Sequence, residues 1–378
     1  MSDYLTENKE RNKKGEFDKT DVLSVSGDYG IVNQIELLGR SFAGASVLPY
    51  HVVRHGNIVY TKSPLKEYPY GIVKANTGVD GIVSTLYAVY NIKNNVDAQF
   101  IEYYFSLANR TNRYFKPIVR IGAKHDMKIG NQEVLANKVT FPNLEEQTKI
   151  ASLFRFLDER IATQNKIIED LKMLKSAIIE NVFDDKHSER LQLDNVGSYI
   201  RGLTYSSNDV VEHGGTLVMR SNNIVNGSLL DYNNNVVFVN KQMSAEQQLQ
   251  NGDIVICMAN GSSSLVGKSS FYDGNCHSPI TVGAFCGIYR SKEPIVKWLF
   301  QTNKYRRYIW NSLQGGNGAI ANLNGEDILN MSFSIPNAPI KDTCVKMLTS
   351  VDSALGNNMS LCALYTLQKQ HLLRQMFI

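Results

Sequence analysis

The sequence predicts an α+β protein built as a tandem duplication of two mostly-β modules, each followed by a long α-helix. The two helices are expected to pack as an antiparallel coiled coil. Three observations predict this: a repeat across the chain, short strand-like runs between glycines, and a heptad stripe after a proline in each half. Laid at a constant offset of 194, residues 100–183 match 294–377 without a gap. Asn109/Asn303, Arg113/Arg307, Tyr114/Tyr308, Leu135/Leu329, Pro142/Pro336, Asp158/Asp352, Lys175/Lys369 and Phe183/Phe377 are identical pairs. Upstream, an offset of 196 pairs Gly56/Gly252, Gly71/Gly267, Gly78/Gly274, Thr85/Thr281 and Ala88/Ala284. Ile31-Val32-Asn33 echoes Ile224-Val225-Asn226 at 193. Self-similarity at this scale marks duplicated structural units.

The modules are rich in Gly, Asn, Val, Tyr and Ser. Runs such as Asn57-Ile58-Val59-Tyr60 and Asp253-Ile254-Val255-Ile256, bounded by turn residues, read as strands. One helical segment is expected near the end of each module, over 100–115 and 294–310. The boundaries follow: a module over 1–141, a helix over 142–186, a module over 187–335 and a helix over 336–378. The first twenty residues are polar and weakly patterned, so that edge is expected to be disordered or completed by a partner.

After Pro142, Gln147 opens a 3-4 stepped series: Ile150, Phe154, Leu157, Ile161, Gln164, Ile168, Leu171, Lys175, Ile178 and Val182. After Pro336 the same steps give Cys344, Leu348, Val351, Leu355, Asn358, Cys362, Tyr365, Lys369, Leu372 and Met376. Narrow apolar stripes of this period are coiled-coil seams. Two amphipathic helices, each packed on its own module, are the alternative. Gln164 and Asn358 interrupt both stripes at the same step and would penalise a wrong register. About forty helical residues span roughly 60 Å, longer than one turn of duplex DNA at about 34–36 Å. Two sibling modules on a rod of that length make a ruler.

Length and composition constrain the function. The 378 residues are 43% hydrophobic and 20% charged, ordinary for folded domains. A formal charge of +4 is too small to name a polyanionic partner unaided. No apolar run approaches the roughly eighteen residues of a membrane span. The charged N-terminus has no apolar core, so no signal peptide is expected. Five cysteines without a C-x-x-C pair argue for reduced thiols and a cytoplasmic protein.

Basic residues gather where the repeat is strongest. The first module offers Arg110, Arg113, Lys116, Arg120 and Lys124, and the second Lys304, Arg306 and Arg307, with Tyr114 and Tyr308 at matching places. Such cations neutralise phosphates and make nucleic-acid affinity salt-dependent; a solvated helix face is the plainer reading. The loops before Gly71 and Gly267 add Lys62, Lys66, Tyr68, Asn260, Ser262, Ser263 and Ser264, Lys268 follows Gly267, and Asn317 lies in a glycine-rich turn. Donors and acceptors of this kind read base edges in a groove, although surface turns carry them too.

The chemical motifs fail one by one. Gly261-Ser262-Ser263-Ser264-Leu265-Val266-Gly267-Lys268-Ser269 has five residues between glycines where a phosphate-binding loop has four. Gly316-Asn317-Gly318 follows a helix rather than the strand a dinucleotide site needs. Asp158 with Asp170-Leu171-Lys172 has nuclease-like spacing but lies along one helix. No histidine or cysteine set has ligand spacing, so neither a catalytic residue nor a metal site is expected.

Pro142-Asn143-Leu144-Glu145-Glu146-Gln147, then Lys149-Ile150-Ala151, Leu157-Asp158, Ile161, Gln164, Lys166-Ile167 and Leu171, closely resembles the central conserved region of type I restriction–modification specificity subunits. Val139 with Phe141-Pro142, and the opening of the second module from Leu193 to Asn226, are similar to that family as well. The resemblance covers essentially the whole chain. It implies two target recognition domains, each reading one half of a bipartite, asymmetric site in double-stranded DNA. It implies helices that set the half-site spacing and help bind two modification (methyltransferase) subunits. S-adenosylmethionine, ATP and magnesium would then sit on partner methyltransferase and motor subunits, with no cofactor in this chain and no catalysis by it. A specificity subunit of a two-component type IIB/IIG-like system is the alternative. The second helix departs from the pattern, reading Ala338-Pro339-Ile340-Lys341 where the first has Leu144-Glu145-Glu146-Gln147, so contacts there are expected to differ.

Overall fold

A computed structural model describes residues 1–65, 67–121, 127–184, 189–313 and 321–377. The chain divides into two compact units. Unit 1 comprises Met1–Asn165 and Ser360–Ile378, and unit 2 comprises Lys166–Met359. Each unit therefore contains one module and pieces of both long helices.

At the centre of unit 1 lies an antiparallel sheet in the order Leu5–Glu7, Ala88–Ile92, Ile58–Tyr60, Val73–Ala75. Unit 2 repeats it as Gly197–Arg201, Cys286–Ser291, Ile254–Cys257, Ser269–Phe271. Alternation along these strands sends successive side chains to opposite faces. In unit 1, Ile58, Tyr60, Tyr90 and Val73 enter the aromatic core with Phe100, Phe115 and Phe141, while Val59 and Val89 join Leu23, Ile31, Val53 and Val83. In unit 2, Ile254, Ile256 and Tyr289 pack with Trp298, Phe300 and Leu348, whereas Val255, Cys257 and Ile288 face Leu217 and Val282.

Four expectations change. The weakly patterned N-terminus is ordered: Leu5–Glu7 pairs with the strand Ala88–Ile92 and holds the edge that Gly197–Arg201 holds in unit 2. Three residues suffice because the neighbouring strand supplies the hydrogen bonds. Each predicted single helix is two, Ala98–Tyr104 and Ala108–Phe115 in unit 1, Val296–Leu299 and Asn303–Leu313 in unit 2. Tyr90 sits opposite Ile58, and Tyr289 opposite Ile254. The last sheet strand is thus displaced by three residues relative to the 196 offset, and the pairs Thr85/Thr281 and Ala88/Ala284 are out of register. The extra residues fall in the loop that follows Ala75 or Phe271. The echo of Ile31-Val32-Asn33 is no shared element, since Gly30–Asn33 is a strand and 224–226 is irregular. Outside the central sheets the modules diverge. Unit 1 pairs His51–Val53 with Gly81–Val83 antiparallel, whereas unit 2 pairs Thr216–Met219 with Ile280–Val282 in parallel.

The long helices are Leu144–Val182 and Ala338–Met376, 39 residues each. Asn143 accepts from the Glu146 N–H at 3.0 Å and caps the first. The predicted seam is the covered face: from Ile150 to Val182 none of its residues is exposed, and in the second helix Met376 alone is. In unit 1 the two helices run in opposite directions, with Cys362 Sγ 3.2 Å from Asn165 and the Arg160 guanidinium over the Tyr365 ring, while Phe377 stacks on Phe154.

The departure at the helix starts has a structural reason. Gln147 is buried and ties the first helix to its module. It accepts from the Asp97 N–H at 3.0 Å and donates to the Asn95 and Pro142 carbonyls. Its counterpart Lys341 makes an ion pair with Glu293 at 3.2 Å. One amide with three hydrogen bonds is replaced by one charged contact.

Phe154→Ala removes a side chain packed against Tyr103 and Phe377, and is expected to cost about 3–5 kcal/mol in urea denaturation. Phe156→Ala, two positions along and exposed, is expected to stay within about 0.5 kcal/mol.

Candidate nucleic-acid interface

In unit 2 the basic helix is set by its buried side. The Asn303 N–H donates to Glu180 Oε1 at 2.8 Å, and the Tyr305 N–H to Thr302 Oγ1 at 3.0 Å, which satisfies the first turn. Tyr305 OH donates to the Gly267 carbonyl at 2.8 Å. Gly267 has φ +81°, and a Cβ there would lie 2.7 Å from Ile309, so only glycine lets the loop approach the helix this closely. The opposite side of the helix presents Arg306, Arg307 and Trp310, all exposed. Between loop and helix opens a cavity of about 210 Å³ bordered by Ser263, Ser264, Lys268, Arg306 and Trp310 over an apolar floor. The side chains of Lys268, Arg306 and Arg307 make no ion pair or hydrogen bond among the described residues. Asn260 donates to Ser221 Oγ at 3.2 Å and accepts from the Ser262 N–H, and the Ser262 and Ser264 hydroxyls are 2.8 Å apart. Tyr308 donates to the Ser332 carbonyl, and Lys304 is half-buried.

Unit 1 treats its predicted residues differently. Arg113 and Lys116 are exposed and unpaired among the described residues. Arg120 pairs with Glu133. The Arg110 guanidinium lies 5.5 Å from the Tyr104 ring centre and 5.2 Å from that of Phe377. Burial lowers its pKa, and its Nη1 is buried with no partner among the described residues. Lys62 donates to Asn131 at 2.6 Å, and burial lowers its pKa too. Tyr68 donates to the Ser106 carbonyl. Tyr114 belongs to the core, its hydroxyl held by the Val134 carbonyl at 2.6 Å. Lys66, Lys124 and Asn317 lie outside the described residues.

Asp158, set aside as a nuclease-like acid, is a fastening point. Its carboxylate accepts from Tyr103 OH at 2.9 Å and pairs with Lys369 of the second long helix. In unit 2 the equivalent Asp352 pairs with Lys175 of the first long helix at 2.7 Å and with Lys297 at 2.7 Å, and accepts from the Trp298 indole at 3.1 Å. Lys175 also donates to the Gly227 carbonyl at 2.9 Å. The same Asp–Lys exchange thus occurs in each unit, joining module, its own helix and the other helix. Burial opposes ionisation of Asp352, but Lys175 and Lys297 prevail and hold its pKa below the ordinary value. Burial lowers the pKa of Lys175. The repeat showed that these aspartates and lysines recur, but not that they meet.

The dismissed phosphate-loop look-alike is a 3-10 turn, Ser263–Leu265, followed by the strand Ser269–Phe271 rather than a helix. Among the described residues no three His, Cys, Asp or Glu side chains converge as a metal site. No described helix is long and apolar enough to cross a membrane.

No family model matches the chain. Over 155 residues it is 35% identical to the Type I restriction enzyme EcoKI specificity subunit of Escherichia coli (strain K12), covering 38% of this chain and 31% of that protein. Over 153 residues it is 34% identical to the Type I restriction enzyme StySPI specificity subunit of Salmonella potsdam, with the same coverage. The match spans about a third of the length of these relatives. The type I restriction–modification S subunit from M. genitalium superposes with a TM-score of 0.61 at 13% identity, over all of this chain and 94% of that one. A second solved structure, concerned with complex assembly and conformational transition of the type I R-M system, gives 0.53 at 13% identity, over all of this chain and 96% of that one. At such identity the likeness is one of fold.

Asp352→Asn strands two lysines and is expected to destabilise unit 2 by about 3–5 kcal/mol. Asp158, whose side chain is 41% exposed, is expected to cost about 0–1 kcal/mol when neutralised. Because the folded Asp352 pKa lies below the unfolded one, its contribution is complete above about pH 4 and is lost as the pH falls through the folded value. Hydrogen exchange of wild type and Asp352→Asn across that range checks both statements; the variant should show the shallower acid loss in unit 2.

Proposed function

We propose that this chain, a member of the type I restriction–modification specificity-subunit family, is the DNA-recognition subunit of a type I complex. Each module reads one half of a bipartite site, and the chain itself performs no chemistry. The observation that carries this reading is the recurrence of free cations at the equivalent helix of each unit, Arg113 and the C-cap residue Lys116 in one, Arg306 and Arg307 in the other. Cations without protein partners are available for phosphates, which position a protein on the duplex while nearby polar side chains read bases. The relatives' shared description as type I specificity subunits supports the same conclusion.

The long helices would set the half-site spacing, since 39 residues span roughly 58 Å. They also carry a second duplicated feature. Leu153/Met347, Ile167/Leu361 and Met173/Leu367, each pair 194 apart, are exposed apolar residues outside the seam, with Met173 at 64% and Leu367 at 61%. Apolar residues repeated in both copies suit two copies of one partner, here two methyltransferase subunits. S-adenosylmethionine, ATP and magnesium would be held by the methyltransferase and motor subunits.

Co-expression with the modification subunit, followed by mapping of methylated adenines across a genome, is expected to return a two-part motif with a fixed gap. Exchanging residues 189–335 for another module should change one part only. A change in both parts, or no motif, contradicts the reading. Log affinity for DNA is expected to fall with log salt at a slope of roughly −4 to −7; a flat response contradicts phosphate contact by the free cations. Leu153→Glu is expected to weaken binding of the methyltransferase subunit while leaving the unfolding midpoint near wild type.

A further inference from the structure

We infer that the cavity between loop and helix in unit 2 receives a single nucleotide turned out of the DNA stack, a claim that rests on the recognition reading and extends it. The walls are of three kinds. Val266 and Ile309 form an apolar floor, and the Trp310 indole, 64% exposed, stands at the rim. Ser263 and Ser264 supply hydroxyls. Lys268 and Arg306 border the opening, and among the described residues no carboxylate lines it. A flat apolar surface with an aromatic edge suits a heterocycle, hydroxyls suit its hydrogen-bonding edge, and two free cations suit the attached phosphate. A volume of about 210 Å³ admits one base but not a base pair in its duplex.

Comparison of the sibling modules shows how the space arises. Gly71 and Gly267 are equivalent and share φ of +86° and +81°. Three residues earlier stand Tyr68 in unit 1 and Ser264 in unit 2. The Tyr68 hydroxyl reaches the carbonyl of Ser106, the counterpart of the cavity-lining Phe300, so its ring lies across the region that is open in unit 2. Phe115, stacked on Tyr60, likewise stands where unit 2 has Ile309. Among the described residues, aromatic side chains stand in one copy where the other has Ser264 and Ile309.

Removing the base opposite an extruded nucleotide lowers the cost of extrusion. The test therefore measures binding of the complex with its methyltransferase subunits to duplexes carrying an abasic site opposite each position of the site in turn. The inference expects one position in the half-site read by residues 189–335 to gain about tenfold or more in affinity. Ser264→Tyr, which installs the sibling's residue, and Trp310→Ala should each abolish that gain. Circular dichroism and an unchanged unfolding midpoint establish that both variants fold. Trp310 fluorescence titrated with free dAMP, dCMP, dGMP and dTMP separates the sources, because Trp298, the second of two tryptophans, is buried. Tight binding of a free nucleotide with no position-specific gain on DNA overturns the inference in favour of a small-molecule site. Two-part recognition with a uniform response at every position, or a gain that persists in Ser264→Tyr, also overturns it while leaving the recognition reading intact. Loss of sequence-specific binding by the wild-type complex sinks the recognition reading and the pocket with it.

Discussion

A carboxylate on each long helix, shared between the helix's own module and a lysine from the other long helix, is the contact on which the rest depends. Asp352 receives Lys175, Lys297 and the Trp298 indole, and Asp158 receives Lys369 and Tyr103. A module alone supplies only part of each set. The lysine arrives from a distant stretch of chain, 211 residues away for Asp158 and Lys369, so each set draws on both helices. The two fastenings differ in strength for a physical reason. The Lys175–Asp352 pair is buried, with side chains 9% and 12% exposed, and little water is available to replace a lost partner. The Asp158 side chain remains open to solvent.

Duplication preserved the parts that serve this fastening and released the parts that do not. The four-stranded sheets share one order, and the helices match to the residue. The flanking sheets, by contrast, pair antiparallel in one module and parallel in the other, and the loop before Gly267 opens where that before Gly71 is filled. Divergence is therefore concentrated in loops and outer sheets, while core positions such as Phe154/Leu348 and Phe141/Ile335 stay apolar without staying identical. Under the proposed function, surfaces that read two unrelated half-sites need this division of labour.

The long helices were legible in the sequence because burial along a helix imposes a period, and the stripes from Ile150 and Cys344 kept it through their polar interruptions. The central strands were legible for the same reason, with a period of two. Partner choice was not. Nothing in the neighbourhood of Asp158 announces Lys369, and Gln147 looked like part of a family signature rather than an amide serving Asp97, Asn95 and Pro142. The edge strand Leu5–Glu7 is not legible because three residues are too few to show alternation. Among the candidate DNA contacts, Tyr114 recurs beside arginines as a phosphate-side residue would, yet its hydroxyl is buried and bound to the Val134 carbonyl. The repeat pairs Gly71 with Gly267, but it does not show that the Tyr68 hydroxyl reaches the Ser106 carbonyl while the space beside Trp310 has no such ring among the described residues.

The central claim is that the long helices set the distance between two half-sites. Its most direct test is to insert one heptad into each of them at matching positions, which preserves the seam and lengthens each helix by about 10.5 Å. Methylation mapping of the resulting complex should show both half-site sequences unchanged and the gap widened by about three base pairs. An unchanged gap with full recognition would contradict the account.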